Sequence, residues 1–101
     1  MLLIAGTIRI QAEDRDAAIP LMEWMMAETA KEEGCVSYVF SADLSDPTLF
    51  HLFEEWETEA HLHAHFVAPH MAEFQEKMAA LGDREMDIYR YDEPTKGPLG
   101  R

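Results

Sequence analysis

Basic residues are scarce in this chain. Eight lysines and arginines stand against twenty aspartates and glutamates in 101 residues, a formal net charge of −12 at pH 7. Phosphate backbones and anionic lipid surfaces need a positive footprint, so nucleic acid and membranes are disfavoured as partners. Cysteine is rarer still: Cys35 stands alone. An internal disulfide is therefore ruled out, and a reducing cytoplasm is the expected compartment. Cys35, next to Val36 at a strand start, reads as a small buried residue or as a reactive thiol. No apolar run approaches the length of a membrane span, and the opening MLLIAGTIRI has no basic stretch or cleavage signal. The expectation is a soluble, untargeted protein.

What is abundant is core material. Hydrophobic residues make up 48% and aromatics 10% of the chain, enough for one modest core and too much for disorder. Residues 2–11 read as a strand with Ile4, Ile8 and Ile10 on one side and Thr7, Arg9 and Gln11 on the other. A helix follows, N-capped by Asp14 or Asp16 and stopped by Gly34, with Pro20 in its first turns. Met22, Met25, Met26 and Thr29 fall at helical spacing, and with Trp24 they read as core rather than as a cofactor box.

CVSYVFSAD and TLFHLFEEW alternate as strands around an Asp46-Pro47 turn and form a hairpin, with Val36, Tyr38 and Phe40 sharing a face. Two helical pieces come next, one capped by Thr58 and one opened by Pro69, the second burying Met71, Phe74, Met78 and Leu81 before Gly82. REMDIYRY is a last strand, and the Pro/Gly-containing tail has no core of its own. The order is β-α-β-β-α-β, an α+β ferredoxin-like fold with a four-stranded antiparallel sheet and helices on one face. We expect one domain over 1–92 and a tail over 93–101. The other sheet face carries Val39, Leu49 and Phe53, too apolar for water. A homodimer whose two sheets close into a dimeric α/β barrel would cover it.

Four of five histidines crowd into ETEAHLHAHFVAPH, residues 57–70. As a strand, H-x-H-x-H would point three imidazoles one way, toward a metal. Ala60, Leu62 and Ala64 favour helix instead, between a Thr58 cap and Ala68-Pro69. On a helix, Leu62 and Phe66 define the inward side, His61 and His63 read as solvent-facing, and His65 borders the buried face. His61 and His65 at i, i+4 would give two ligands, with Glu54 or Glu57 as a third, but the rest of a zinc signature is missing and no metal is expected. On the third strand, Phe50, Leu52, Glu54 and Trp56 share the face turned to the helices. Glu54 among apolar neighbours needs a partner. Either it pairs with His65, making a base of tunable pKa beside an indole, or it makes a structural hydrogen bond at a strand edge.

These residues carry a resemblance. E-x-G-C-x-x-Y at Glu32–Tyr38, D-P-x-x-F at Asp46–Phe50, E-x-W at Glu54–Trp56, Ala64-His65 and Pro69-His70 resemble the antibiotic biosynthesis monooxygenase family of the dimeric α/β-barrel superfamily. The likeness runs over about residues 2–92. It implies a homodimer with a pocket between each sheet and its helices, and oxygenation of quinols, anthrones or related phenols by O2 without metal, flavin or haem. By that resemblance His65 is the base or proton shuttle, Glu54 its orienting carboxylate, and Trp56 a donor or stacking wall. Phe40, Leu52, Phe66, His70, Met71 and Phe74 would line the substrate site. Relatives acting on polycyclic anthrones carry an Asn where Leu52 stands, which argues against that substrate class. Haem-degrading relatives need an Asn and a haem-ligating His where this chain has Gly6 or Thr7 and Gln75. Two other classes remain beside quinol or phenol oxygenation: isomerisation of a small metabolite, phosphorylated or not, and a non-catalytic small-molecule-binding or stress-associated dimer.

Overall fold

In the computed structural model, residues 1–100 are described and Arg101 lies outside the described residues. Apolar alternation sets the first strand, β1 (Leu2–Arg9), with Leu2, Ile4 and Ile8 buried on one face. A 3-10 turn (Ala12–Asp14) leads into α1 (Arg15–Thr29). Asp14 does not cap α1 with its side chain; its carboxylate instead accepts from the Gly82 backbone N–H at 2.8 Å. The stripe buries Met22, Met25 and Thr29 as the spacing predicts, and Met26 packs against the same core.

Gly34 turns the chain at φ +80°, a left-handed conformation that suits glycine. A side chain there would also strike the His61 ring, so the turn and the next helix fit closely. The hairpin comprises β2 (Cys35–Ala42) and β3 (Leu49–Trp56). One expectation fails at its start. Cys35 pairs with Trp56 and Ser37 with Glu55, so Val36 is the extra residue of a bulge and is turned out to solvent, while Tyr38 and Phe40 stay buried.

Thr58 N-caps α2 (Glu59–Phe66) by accepting the His61 backbone N–H, and Pro69 opens α3 (Pro69–Ala79). The last strand, β4 (Glu85–Asp92), pairs with β1. The antiparallel sheet has the order β2-β3-β1-β4, with the helix-side core of Ile4, Ile8, Phe40, Leu52, Phe74 and Met78 on one face. This is the ferredoxin-like architecture. Across the opposite face Val39, Phe53, Ala5 and Tyr89 lie in one row, and all but Ala5 are exposed. The tail turns back over part of that face, where Lys96 pairs with Glu55 at 3.1 Å. Among the described residues, no helix is long and apolar enough to cross a membrane.

Gly6 faces the helices at the one rung where β1 and β4 leave no room: an added Cβ would collide with the Asp87 carbonyl and the Ile88 Cα. The obstacle is backbone, which cannot rotate away. Gly6→Ala is expected to cost about 2–4 kcal/mol in urea unfolding. Amide exchange should quicken in β4 before β2, because β4 is the strand that must shift.

Candidate functional site

β3 is central in the sheet, and its alternation puts Phe50, Leu52, Glu54 and Trp56 under the helices. Glu54 is therefore not at a strand edge. It is 5% exposed and reaches a cavity of about 320 Å3 between the sheet and α2–α3. The wall is mostly Ile, Leu, Phe and Met, including Phe40, Leu52, Phe66, Met71 and Phe74. Its polar side chains are Glu54, Tyr38, Gln75, Arg84 and Arg90. A small dry cavity with few placed polar groups is the usual form of a ligand site.

Glu54 Oε1 accepts the Trp56 indole N–H at 2.9 Å. Burial nevertheless dominates, and it pushes the Glu54 carboxyl up from 4.5 to about 7, the indole bond opposing and the Glu32 charge adding to the rise. At neutral pH this group is poised between acid and base. The Tyr38 hydroxyl beside it is pushed far above its ordinary range by burial and by the charges of Glu54 and Glu32, so it stays a neutral hydrogen-bonding group. The Cys35 thiol is likewise raised, by burial first and then by Glu32 and Glu54, which is the opposite of what a reactive thiolate needs.

The expected Glu54–His65 pair does not form. His65 lies fully inside α2's contact with the sheet, at 1% exposure, while Phe66, expected to point inward, stands half exposed at the cavity rim. The helix is turned so that Leu62 and His65 share the buried stripe. His65 Nδ1 meets Glu32 Oε2 at 2.7 Å, and His70 Nε2 meets the same oxygen at 2.7 Å. His70, expected in the substrate site, thus belongs to this carboxylate and does not line the cavity. Trp56 and His65 also sit behind the wall rather than in it. The imidazole lies against the indole, with ring centroids 4.8 Å apart, and against Tyr38 at 5.3 Å. Trp56 therefore separates Glu54, on its N–H, from His65, on its ring.

Burial pushes the His65 pKa down, with Glu32 opposing, so the neutral imidazole is favoured. Among the described residues its Nε2 is buried without a partner. A neutral ring that donates Nδ1–H to Glu32 leaves Nε2 as a bare lone pair, the form a base takes, but the ring does not line the cavity. The ligand atoms of Glu32, His65 and His70 lie within 4.8 Å of one another, so this trio has the donor set for a divalent ion as well as for the hydrogen bonds it makes. The remaining histidines are peripheral. His61 bonds the Thr58 hydroxyl at 2.8 Å and packs on Gly34, and His63 is exposed beside Glu59.

Glu32 is the residue that reading the sequence missed as a functional group. The signal was available: it opens the E-x-G-C motif just before a left-handed glycine turn, and His65 and His70 both needed an acceptor. Arg84 was missed too, because it reads only as the polar start of a strand.

The geometry now has its comparison. The antibiotic biosynthesis monooxygenase family matches residues 1–77. The chain belongs to that family. The uncharacterized protein sll1783 of Synechocystis is 32% identical over 90 residues, covering 89% of this chain and 61% of that protein, so the chain spans about three fifths of that relative. The probable quinol monooxygenase YgiN of Escherichia coli is 32% identical over 99 residues, covering 87% of this chain and 93% of YgiN. A candidate antibiotic biosynthesis monooxygenase structure from Deinococcus radiodurans superposes with a TM-score of 0.90 at 25% identity over 98% of both chains. Rv0793 of Mycobacterium tuberculosis shares the fold, with a TM-score of 0.84 at 21% identity over 96% of this chain and 98% of that one. The family match takes in Glu32, Tyr38, Glu54, Trp56, His65 and His70, and ends within α3 before Arg84.

Two outcomes follow for this family member. The folded Glu54 pKa lies above its unfolded value, so the protonated form is the one folding favours. Its contribution is complete below pH 4.5, falls as pH rises toward about 7 and levels off beyond. Glu54→Gln keeps the acceptor for Trp56 but cannot ionise, so the variant should gain stability relative to wild type across that window, by a few kcal/mol at most. Urea melts at stepped pH would read it, and parallel curves would contradict the raised carboxyl. Glu32→Ala strips the acceptor from two histidines, one of them fully buried. It should cost about 2–4 kcal/mol, and Glu32→Gln less, in the same assay.

Proposed function

We propose that this protein is a cofactor-independent monooxygenase that oxidises a small quinol or phenol with O2 in the helix-side cavity. The observation that carries the reading is the Glu54 carboxyl, set in an apolar cavity with its pKa near 7. The family, and the likeness to YgiN, a probable quinol monooxygenase, support the reaction class. Glu54, ionised, removes the substrate hydroxyl proton. The anion so formed is electron-rich enough to pass one electron to O2, and the substrate radical and superoxide combine to form a carbon–oxygen bond. The resulting hydroperoxide loses water as its O–O bond breaks and the ring C–H proton leaves. One oxygen stays on the product and the other departs in water, so a quinol and O2 give a hydroxyquinone and H2O.

The residues divide this work. A carboxylate near 7 is a workable base for a phenol of pKa about 10 only if the phenolate is stabilised as it forms. Tyr38 on the cavity wall, the β2 neighbour of Glu54, offers an O–H for that purpose. Trp56 fixes the Glu54 rotamer, and the Glu32–His65–His70 trio holds the indole from behind. The apolar wall excludes water, which keeps superoxide beside its radical partner. We further infer a cytoplasmic homodimer built on the open sheet face, from its exposed Val39, Phe53 and Tyr91 and the lone Cys35.

The test is oxygen uptake with menadiol in the presence of a chelator, above the uncatalysed rate. Glu54→Gln should lower kcat by about 100-fold or more, and wild-type kcat/KM should rise through pH 7 to a plateau, because the base must be ionised. No uptake across a panel of quinols would sink the reading. For the assembly, Phe53→Asp places a charge in the middle of the open face and should yield a monomer by light scattering, where wild type yields a dimer.

A further inference from the structure

In a chain with twelve more acids than bases, nearly every described cation is neutralised. Arg9, Lys31, Lys77, Arg90 and Lys96 each have a carboxylate partner. Arg15 donates to the Pro47 carbonyl and lies over the Phe50 ring. Arg84 is the exception that faces a cavity. Its one hydrogen bond among the described residues is from Nη2 to the neutral Gln75 Oε1, at 3.0 Å, and both side chains line the pocket that Glu54 enters. It is half-buried between exposed Asp83 and Glu85, so the chain turns it inward.

The two polar ends of the cavity are well separated. Glu54 sits on the rung of Ile4 and Met86 on the rung of Ile8. Four residues of strand span about 13 Å, and Arg84 enters beyond Met86. Apolar side chains of Ile8, Phe74 and Met78 fill the stretch between. A neutral quinol would satisfy the Glu54 end and leave a half-desolvated guanidinium idle at the other. Arg90 does not have this vacancy, since its Nε and Nη2 are held by Asp92 and Glu59 at 2.6 and 2.7 Å.

We propose that Arg84, braced by Gln75, is an anion subsite, and that the substrate is a phenol or quinol bearing a carboxylate at the end of its ring system remote from the reacting hydroxyl. This rests on reading the cavity as a quinol or phenol site. The guanidinium fork takes the carboxylate, the apolar middle takes the rings, and the hydroxyl arrives at Glu54 in one orientation only. Arg84 lies beyond the residues matched by the family and Glu54 within them.

The test is binding without turnover, by anaerobic titration calorimetry at pH 8 of the full chain with 6-hydroxy-2-naphthoate and its neutral amide. The two ligands share a rigid shape and differ in charge. Wild type should bind the acid about tenfold more tightly than the amide. Arg84→Met should abolish that preference, Arg84→Lys should keep part of it, and Gln75→Ala should weaken it without touching the guanidinium. Glu54→Gln should retain it, which separates the subsite from the base. Equal affinity of wild type for acid and amide, or a preference surviving Arg84→Met in a protein with the wild-type circular dichroism spectrum, overturns the proposal. An acid preference without oxygen uptake on any quinol upholds the subsite and removes the oxygenase reading. Uptake with menadiol but no acid preference does the reverse.

Discussion

Glu54 hangs from the middle strand of the sheet into a space walled by Ile, Leu, Phe and Met, where an ionised carboxylate would lose most of its solvation. A polar group in that position must be held, and the indole N–H of Trp56 does so from the same strand face, two residues on. One bond to a neutral donor only partly offsets the burial. The carboxyl is therefore left close to neutrality, neither locked in an ion pair nor swollen with water. Had His65 taken this carboxylate, as its place in the chain suggests, a charged pair would have formed and the group would have become a conventional acid. The separation of the two by an indole is what leaves Glu54 chemically available.

The indole is held in turn. Trp56 is completely buried, with the His65 ring against it, and His65 is fixed by Glu32 from the α1–β2 connection. The same Glu32 oxygen reaches His70 at the start of α3. One carboxylate thus ties the α1–β2 connection to two consecutive helices more than thirty residues on, and the tie converges behind the cavity wall. Two imidazole nitrogens meet the same Glu32 oxygen, and the downward shift of His65 is consistent with an imidazole that orients rather than titrates. Glu32, His65, His70 and Trp56 thus support Glu54 from behind the wall without lining the cavity themselves.

Periodicity carried the reading of the fold a long way. Strands, the Met stripe, the Thr58 cap and Pro69 are local signals, and each is decided by residues within a few positions. The helical register of HLHAH likewise separated three histidines correctly in kind, since His61 and His63 proved peripheral. The failures were all matters of fine rotation or long range. Val36 was misplaced because a bulge shifts alternation by one residue without a mark in composition. Phe66 was misplaced, and His65 lies deeper than the border it was given, because a helix of eight residues can turn by half a residue's arc to meet Trp56. Glu32 stands 33 residues from His65 and 38 from His70, and no spacing rule connects a loop carboxylate to two helices. Arg84 carries no motif at all; only the shape of the cavity gives it meaning.

The cavity itself follows from unequal cover of the sheet. α1 and α3 lie over β2, β3 and β1 and bury Met22, Met25, Phe74 and Met78 against them, but every residue of β4 is exposed. Met86 and Ile88 point to the helix side and still stand 57% and 36% exposed. An apolar shelf of that kind beside an enclosed, polar-tipped cleft favours a flat, partly apolar guest over a compact polar one, because ring area is what the shelf can desolvate. It also places the opening at β4, next to Arg84, and the closed end at β3, next to Glu54. A guest entering along β4 meets positive charge first and the base last. In a protein whose surface is otherwise strongly acidic, that gradient is the feature by which an anionic aromatic would find the site and arrive with its hydroxyl foremost.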